Sequence, residues 1–141
     1  MTSDRNACTV VYRKALPEDI ASCVELRGKT RENAISVERL GSRGITLESW
    51  TRDVVDGTLP GHVCVSGDRI VGHCFGLKAT GEIAVLALLP EFENMGIGRA
   101  LLNRMVEDLS TFGFRRLFLG CSANPKTRSH GFYRHLGWRS T

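Results

Sequence analysis

The chain has no pair of closely spaced cysteines. Its five cysteines are an odd number at wide intervals, and no C-x-x-C occurs. A disulfide framework and a structural zinc site are therefore not expected. Cys64, Cys74 and Cys121 lie in apolar runs, which predicts small buried side chains. This usage fits a reducing compartment, so we expect a cytoplasmic protein without a metal ion.

Long hydrophobic runs and clusters of one charge are also missing. No apolar stretch reaches the roughly 18 residues that span a bilayer, so no membrane association is expected. The polar stretch from Met1 to Ala7 does not look like a signal peptide. The net charge is only +4. Without a long basic run, zinc-finger spacing or RNA-recognition signature, nucleic acid is not an expected partner, although a mild basic excess suits an anionic small ligand.

What is present is an ordinary globular composition, with 42% hydrophobic and 24% charged residues among 141. A chain of this length without repeats or linkers predicts one domain over 1–141. The patterns of the first half predict a strand at 9–12, a helix that opens at Pro17 and ends near Gly28, a loop or short helix at 31–44, and a helix at 47–55 that ends near Gly57.

The second half alternates between strand and helix patterns. Two β-type runs at 62–65 and 69–75 predict a hairpin, and a nearly all-apolar run at 82–89 predicts a strand buried on both faces. A strand at 117–119 and a helix at 128–136 follow. The hairpin requires antiparallel pairs and the strand–helix–strand unit a parallel pair, so we expect a mixed sheet with helices on both faces. The long helix between these strands, capped by Gly113, carries one apolar stripe: Ile97, Leu101, Leu102, Met105, Val106, Leu109 and Phe112.

A short polar loop between the apolar strand and the long helix carries Gly96 and Gly98. The first amides of a helix have no intrahelical partners, and they point at the preceding loop with the positive end of the helix dipole. Glycines let a ligand approach the backbone closely. The loop therefore predicts an anion site suited to a pyrophosphate. It is not a P-loop, and Leu101 stands where the dinucleotide fingerprint needs a third glycine; a loop that only turns the chain is the alternative.

Four segments in order resemble the GCN5-related N-acetyltransferase (GNAT) family and together cover nearly the whole chain. The stretch from Glu93 to Gly98 resembles its motif A, Gln/Arg-x-x-Gly-x-Gly/Ala. Arg13-x-Ala15-x-x-x-Asp19 resembles its first strand and helix opening. The hairpin Gly67-Asp68-x-Ile70-Val71-Gly72 and the closing Phe132-Tyr133-Arg134-x-Leu136-Gly137-Trp138 resemble two further family elements.

The resemblance implies a GNAT-like acyl-coenzyme A N-acyltransferase fold of the α/β (α+β) class. Its central sheet would be mixed and mostly antiparallel, with about six strands flanked by helices. The sequence departs from the family where its seventh strand would begin, so we expect that strand to be missing, to come from a partner, or to belong to a longer form of the chain. It also implies transfer of an acetyl group from acetyl-coenzyme A to a primary amine of a small molecule or peptide. A non-catalytic acyl-coenzyme A sensor or subunit would share the same loop and is the alternative. Whether the protein forms a homodimer stays open.

Direct attack of an amine on the thioester sets the catalytic tasks: a proton leaves the amine, the oxyanion is stabilised and the thiolate is protonated. Glu82 is the candidate base, directly or through water, since related enzymes often place a glutamate in this strand; an exposed acid at a strand end is the alternative. His73 is a second candidate, against a half-buried structural histidine. Tyr133 matches the family tyrosine that protonates the thiolate. An oxyanion donor at the backbone of Leu88 is a further expectation.

The resemblance places the co-substrate as well. This chain differs from the family pattern at two positions. Glu93 occupies the usual Gln/Arg position, and Lys126 stands where the family carries an asparagine, with Asn124 two residues away. The pantetheine arm would pair like a strand with Leu86, Leu88 and Leu89, where the fourth and fifth strands splay apart. The pyrophosphate would bind the backbone around Met95, Gly96, Ile97, Gly98, Arg99 and Ala100.

Overall fold

A computed structural model describes residues 10–29 and 46–114, and the backbone of Phe118–Leu119. The elements predicted at 31–44 and 128–136 lie outside these ranges. Two short 3-10 turns, Pro17–Asp19 and Pro90–Phe92, interrupt the described chain. Its strands and helices are β1 (Val11–Lys14), α1 (Ile20–Arg27), α2 (Leu47–Asp56), β2 (Gly61–Ser66), β3 (Arg69–Gly76), β4 (Glu82–Leu88), α3 (Ile97–Thr111) and β5 (Phe118–Leu119).

The strands of the described ranges form one sheet in the order β1-β2-β3-β4-β5. The first three neighbouring pairs are antiparallel, and β5 runs parallel to β4. The parallel pair is reached through α3, because two parallel strands cannot be joined by a tight turn. The predicted mixed sheet and its hairpin are confirmed, with five of the expected six or so strands inside the described ranges.

Local sequence accounts for most helix boundaries. The Thr46 hydroxyl accepts a hydrogen bond from the Ser49 amide at 3.0 Å and caps α2, which ends at Gly57 with φ 81°. The helix expected from Pro17 instead begins after a 3-10 turn. Asp19 ends that turn, and its carboxylate accepts hydrogen bonds from Arg13 at 2.7 and 2.9 Å. This pair gives a physical reason for the Arg and Asp of the resemblance.

The helix α3 packs across one face of the sheet. A Cβ on Gly76 would lie 2.9 Å from the Met105 methyl carbon, so the strand must carry a glycine where the helix approaches. Phe112 departs from the predicted stripe, because it caps the end of the helix and stays 43% exposed, with the Lys78 ammonium 5.0 Å from its ring centre. The buried members of the stripe are Ile97, Leu101, Leu102, Met105 and Leu109, and Val106 is half-buried.

The helices α1 and α2 cover the opposite face. Ile20 and Val24 of α1 and Trp50 of α2 pack with Val63 and Phe75 in one apolar cluster. Trp50 is the buried residue by which α2 attaches to the sheet. The two-sided cover that the sequence predicted is therefore confirmed for the described residues.

The prediction that β4 is buried on both faces is wrong for part of the strand. Ile83 and Ala87 are buried, but Ala84 is exposed and Leu86 and Leu88 are only half-buried. Within the described ranges β5 pairs only with the start of β4, so the later part of the strand is covered less completely. A strand that reads as uniformly apolar thus keeps one accessible edge.

Candidate functional site

One edge of β4 is occupied by β3. The Leu89 amide donates to the Val71 carbonyl at 2.9 Å, and bonded residues of an antiparallel ladder alternate with residues whose backbone groups face the other edge. Ala87 therefore bonds β3, whereas Leu86 and Leu88 direct their N–H and C=O groups toward β5. Leu89 was also predicted to bind the pantetheine arm, but its N–H group is already used in the sheet.

The other edge of β4 is covered only at its start. Phe118–Leu119 pairs in parallel with the first two residues of the strand. The next residue, Ala84, is the extra residue of a β-bulge in the pairing of β4 with β3. No further strand in the described ranges pairs with this edge. The backbone groups of Leu86 and Leu88 stand about 6.6 Å apart, which is the repeat at which an extended ligand can pair like an added strand.

The loop after β4 has the backbone geometry of a ligand cradle. It turns through two left-handed positions, Asn94 at φ 65° and Gly96 at φ 80°. Gly96 is the N-cap of α3, and no side chain caps the helix there. Ile97 is 2% exposed and anchors the helix start in the core, whereas Met95 is 49% exposed at the tip of the loop.

The first amides of α3 form the centre of this cradle. With Gly96 as the N-cap, the N–H groups from Gly96 to Arg99 precede the first intrahelical bond. Within the described residues no backbone carbonyl accepts from them. The Ala100 amide, predicted to join them, already donates to the Gly96 carbonyl at 3.1 Å. Four successive amides at the positive end of a helix dipole suit a pyrophosphate.

Acidic side chains stand beside this cradle. Glu91 is exposed, and its own backbone amide together with the Arg69 guanidinium holds the pKa of that carboxyl below its usual range. The Arg69 Nη2 lies 3.4 Å from the Glu91 carboxylate. Glu93, at the position where the family carries Gln or Arg, is half-buried. Arg69 therefore supplies a positive charge next to the loop, a contact that the sequence did not predict.

Glu82 lies where β4 and β5 still pair. Its N–H group donates to the Thr80 hydroxyl at 3.3 Å, and its carbonyl accepts from the Leu77 amide at 2.8 Å. Ile83 belongs to the cluster beneath α3. Side chains alternate along a strand, so Glu82 faces the side of α1 and α2. Its side chain is half-exposed there.

His73, the second candidate base, is fully buried. Its ring stacks on Trp50 at 5.7 Å between centroids, and both ring nitrogens lack a hydrogen-bond partner among the described residues. Burial, with a smaller contribution from the positive charge of Arg27, lowers the pKa of His73 to about 3. The imidazole is therefore neutral at neutral pH and closed off from solvent, which differs from the half-buried, hydrogen-bonded histidine that was the alternative.

The buried thiols are unsuited to nucleophilic attack. Burial raises the pKa of Cys23 to about 12 and that of Cys64 to about 11, and it raises the pKa of Cys74 further. Since the thiolate is the reactive form, these side chains are structural. Burial of Cys64 and Cys74 was predicted and is confirmed.

Several predictions fall outside the described residues. Tyr133, Lys126, Asn124 and Cys121 belong to this part of the chain, so the acid role of Tyr133 stays a prediction. Within the described ranges, no group of three or more His, Cys, Asp or Glu side chains is placed to hold a metal ion. No helix of those ranges has both the length and the apolar character needed to cross a bilayer.

Comparison with known proteins places this geometry in a family. A curated relative, the amino-acid acetyltransferase of Aeromonas salmonicida, is 28% identical over 127 residues, which are 89% of this chain and 26% of that protein. An uncharacterized N-acetyltransferase of Chlorobaculum tepidum is 28% identical over 123 residues, which cover 84% of this chain and 76% of that one. The chain thus spans about a quarter of the first relative and about three quarters of the second.

Solved structures agree in fold. The PaiA N-acetyltransferase of Thermoplasma acidophilum, solved in complex with coenzyme A, superposes with a TM-score of 0.78 at 19% identity and covers 93% of this chain and 90% of that chain. At this identity the likeness concerns the fold. The model of the acetyltransferase (GNAT) family matches residues 23–138. This chain therefore belongs to the GNAT family of acetyltransferases, enzymes whose co-substrate is acetyl-coenzyme A.

Proposed function

We propose that residues 1–141 form one cytoplasmic N-acetyltransferase domain that moves an acetyl group from acetyl-coenzyme A to a primary amine of a small molecule or peptide. The observation that carries the proposal is the adjacency of two open backbone surfaces. Among the described residues, no backbone carbonyl accepts from four amides at the start of α3, and no strand pairs with the edge of β4 that leads to them at Leu86 and Leu88.

The two surfaces match the two parts of coenzyme A. The pyrophosphate binds the amides from Gly96 to Arg99, where the helix dipole favours an anion. The pantetheine arm carries two amide groups and pairs with the backbone of Leu86 and Leu88 as a strand would. The thioester then lies near the point where β4 and β5 diverge, after the bulge at Ala84.

The reaction proceeds by direct attack. The amine nitrogen forms a bond to the thioester carbon, the carbonyl oxygen becomes an oxyanion, and the C–S bond breaks to release coenzyme A as a thiolate that takes up a proton. Glu82 receives the proton of the amine. About 13 Å of strand separates Glu82 from Leu86, so we assign the transfer to a water chain rather than to direct contact. Tyr133 is assigned as the acid.

A two-part experiment tests the proposal. Calorimetry measures acetyl-coenzyme A binding, and release of free thiol with a panel of amines measures turnover. Glu82→Gln should keep the binding and lose most of the turnover, while Glu48→Gln, a control at an exposed acid of α2, should keep both. Absence of acetyl-coenzyme A binding would overturn the proposal. Binding without turnover on any amine would favour the non-catalytic sensor instead.

A further inference from the structure

A second concave site lies on the α1 side of the sheet and borders the loop after β4 through two of its lining residues, Leu89 and Arg69, of which Arg69 contacts Glu91. It is a cavity of about 590 Å³ between α1, the end of β1 and the β2–β3 turn. Ligand pockets commonly measure about 300–1,000 Å³. Glu82, Leu86 and the amides from Gly96 to Arg99 are not among its described lining residues. The proposed acetyl transfer therefore leaves this cavity without a role.

Charged residues of both signs are among those that line the cavity. The Glu25 carboxylate of α1 and the ammonium of Lys29, two residues beyond the end of that helix, lie 3.6 Å apart, and both side chains are exposed. Asp19, which also lines the cavity, is held by the Arg13 guanidinium at 2.7 Å. These groups form two acid–base pairs, and all four residues line the cavity.

The β2–β3 turn completes this pattern. Asp68 of the turn and Arg69, the first residue of β3, both line the cavity, and Arg69 also contacts Glu91 outside it. Between the charged groups lie apolar side chains of α1, β2, β3 and the end of β4: Leu26, Val65, Ile70 and Leu89.

The distribution of charge selects the kind of ligand. Because the lining carries both acids and bases, a ligand with only positive or only negative charge would lie near at least one like charge, and such contacts are unfavourable. A ligand with both an ammonium and a carboxylate can face an acid with one end and a base with the other. The apolar patches between the charged groups suit a short carbon chain.

We propose that this cavity binds a small zwitterion of the size of an amino acid or a dipeptide, independently of the acetyl-transfer site. The exposure of Glu25 and Lys29 leaves both charges reachable from solvent, so affinity in the millimolar to micromolar range is expected rather than tight binding.

Isothermal titration of the full chain tests this with the dipeptide lysylglutamate as the probe. Butylamine and glutarate carry one sign each and serve as ligand controls. The wild type should bind the dipeptide saturably and bind each control at least about tenfold more weakly. No saturable binding of the dipeptide, or equal binding of either control, would overturn the proposal.

Two matched pairs of variants locate the site. Ser22→Phe fills the cavity from α1, whereas Ala21→Phe adds the same ring at the neighbouring exposed position, which does not line the cavity. Glu25→Gln removes a lining charge, and Glu18→Gln removes one beside the cavity that does not line it. Only Ser22→Phe and Glu25→Gln should weaken dipeptide binding, by about tenfold or more.

Acetyl-coenzyme A binding in all four variants, measured in parallel, verifies the fold. Dipeptide affinity that is unchanged in Ser22→Phe would place the ligand elsewhere, for example at the acceptor site, and would refute this proposal. That result would leave the proposed acetyl transfer intact, because the transfer is judged by acetyl-coenzyme A binding and turnover.

Discussion

Each face of the sheet buries one histidine, but only the histidine on the α3 side has a hydrogen-bond partner among the described residues. His62 of β2 lies beneath α3, and its Nε2 is 2.7 Å from the Asp108 carboxylate. His73 of β3 lies beneath α1 and α2, stacked on Trp50, with no described partner for either nitrogen. Buried polar groups without hydrogen bonds cost stability and are uncommon.

This difference distinguishes the α3 face, which supports the structure, from the α1 and α2 face, where the packing is less complete in hydrogen bonds. On the α3 side, apolar packing and the His62–Asp108 pair hold the helix whose first amides bind the pyrophosphate in our proposal. On the α1 and α2 side lie the ring nitrogens of His73, which have no partner in the part of the chain that the structure describes, together with the half-exposed Glu82 and the charged cavity. We therefore expect changes on the α3 side to alter cofactor affinity or stability, and changes on the other side to alter turnover or pH response.

The largest expected effect is that of Glu82→Gln on turnover. Loss of a general base lowers kcat by about 100-fold or more, because the glutamine side chain of the variant cannot take up the proton of the amine. The dissociation constant for acetyl-coenzyme A should change little, since Glu82 faces away from α3. Steady-state kinetics and calorimetry on the same preparation measure both quantities. Unchanged kcat would remove Glu82 from the mechanism.

The next largest effect is a loss of folding stability at acidic pH that depends on His73. Its pKa is about 3 in the folded chain, against about 6.5 when unfolded. The unfolded state therefore binds more protons between these values, so stability is fully present above about pH 6.5 and is lost as the pH falls. From pH 7 to pH 5 this group alone should cost about 2 kcal/mol of unfolding free energy.

His73→Phe supplies the control for that loss. Phenylalanine keeps an aromatic ring beside Trp50 but cannot be protonated, so the stability of the variant should depend less on pH over the same interval. At pH 7 the variant should be as stable as the wild type or more so, because an unpaired buried polar group is removed. Denaturant titrations at several pH values measure both effects. Identical pH profiles would mean that His73 has a partner or is not buried in solution.

A smaller effect is expected from Gly96→Ala at the cofactor loop. Gly96 has φ 80°, which alanine adopts with strain, although no atom lies near the added methyl group. Acetyl-coenzyme A affinity should fall by about tenfold as the amides shift. Gly57→Ala is a matched control, since Gly57 has φ 81°, equally open surroundings and lies at the end of α2. Both variants should lose about 1 kcal/mol of stability, but only Gly96→Ala should lose affinity.

The smallest effect tests the His62–Asp108 pair. Asp108→Asn keeps the shape of the side chain but removes the charge from the hydrogen bond, which should lower the unfolding free energy by about 1 kcal/mol. Glu107→Gln, at the adjacent exposed position of α3, should change stability by less than about 0.5 kcal/mol. Equal losses in the two variants, measured by denaturant titration, would show that His62 and Asp108 do not interact in solution.

Features with a local cause could be predicted from the sequence. The stripe from Ile97 to Leu109 repeats with the helical period, so the buried face of α3 followed directly. The two glycines before that helix indicated open amides, because the first turn of any helix lacks intrahelical acceptors. Thr46 and Gly57 marked the ends of α2 through their own backbone and side-chain preferences.

Features that depend on residues far apart in the chain could not be predicted from the sequence. The residues at 82–89 did not themselves indicate that β5 covers only the start of the strand, because pairing depends on where another strand ends; the splay of the two strands was expected from the family resemblance alone. Nothing in the neighbours of His62 and His73 along the chain distinguishes a paired histidine from an unpaired one. The link between Arg69 and Glu91 likewise joins residues that are brought together only by the folded sheet.

The sequence alone predicted most of the described helices and strands, the glycine-containing loop before α3 and the resemblance to the family, since each rests on spacing within a short stretch of chain. The tertiary structure decided which edge of β4 is open, which amides remain available, and which charged groups line a common cavity. The physical reason is that hydrogen bonds within a turn or helix follow local order, whereas strand pairing, burial and charge proximity are set by contacts between residues far apart in the chain.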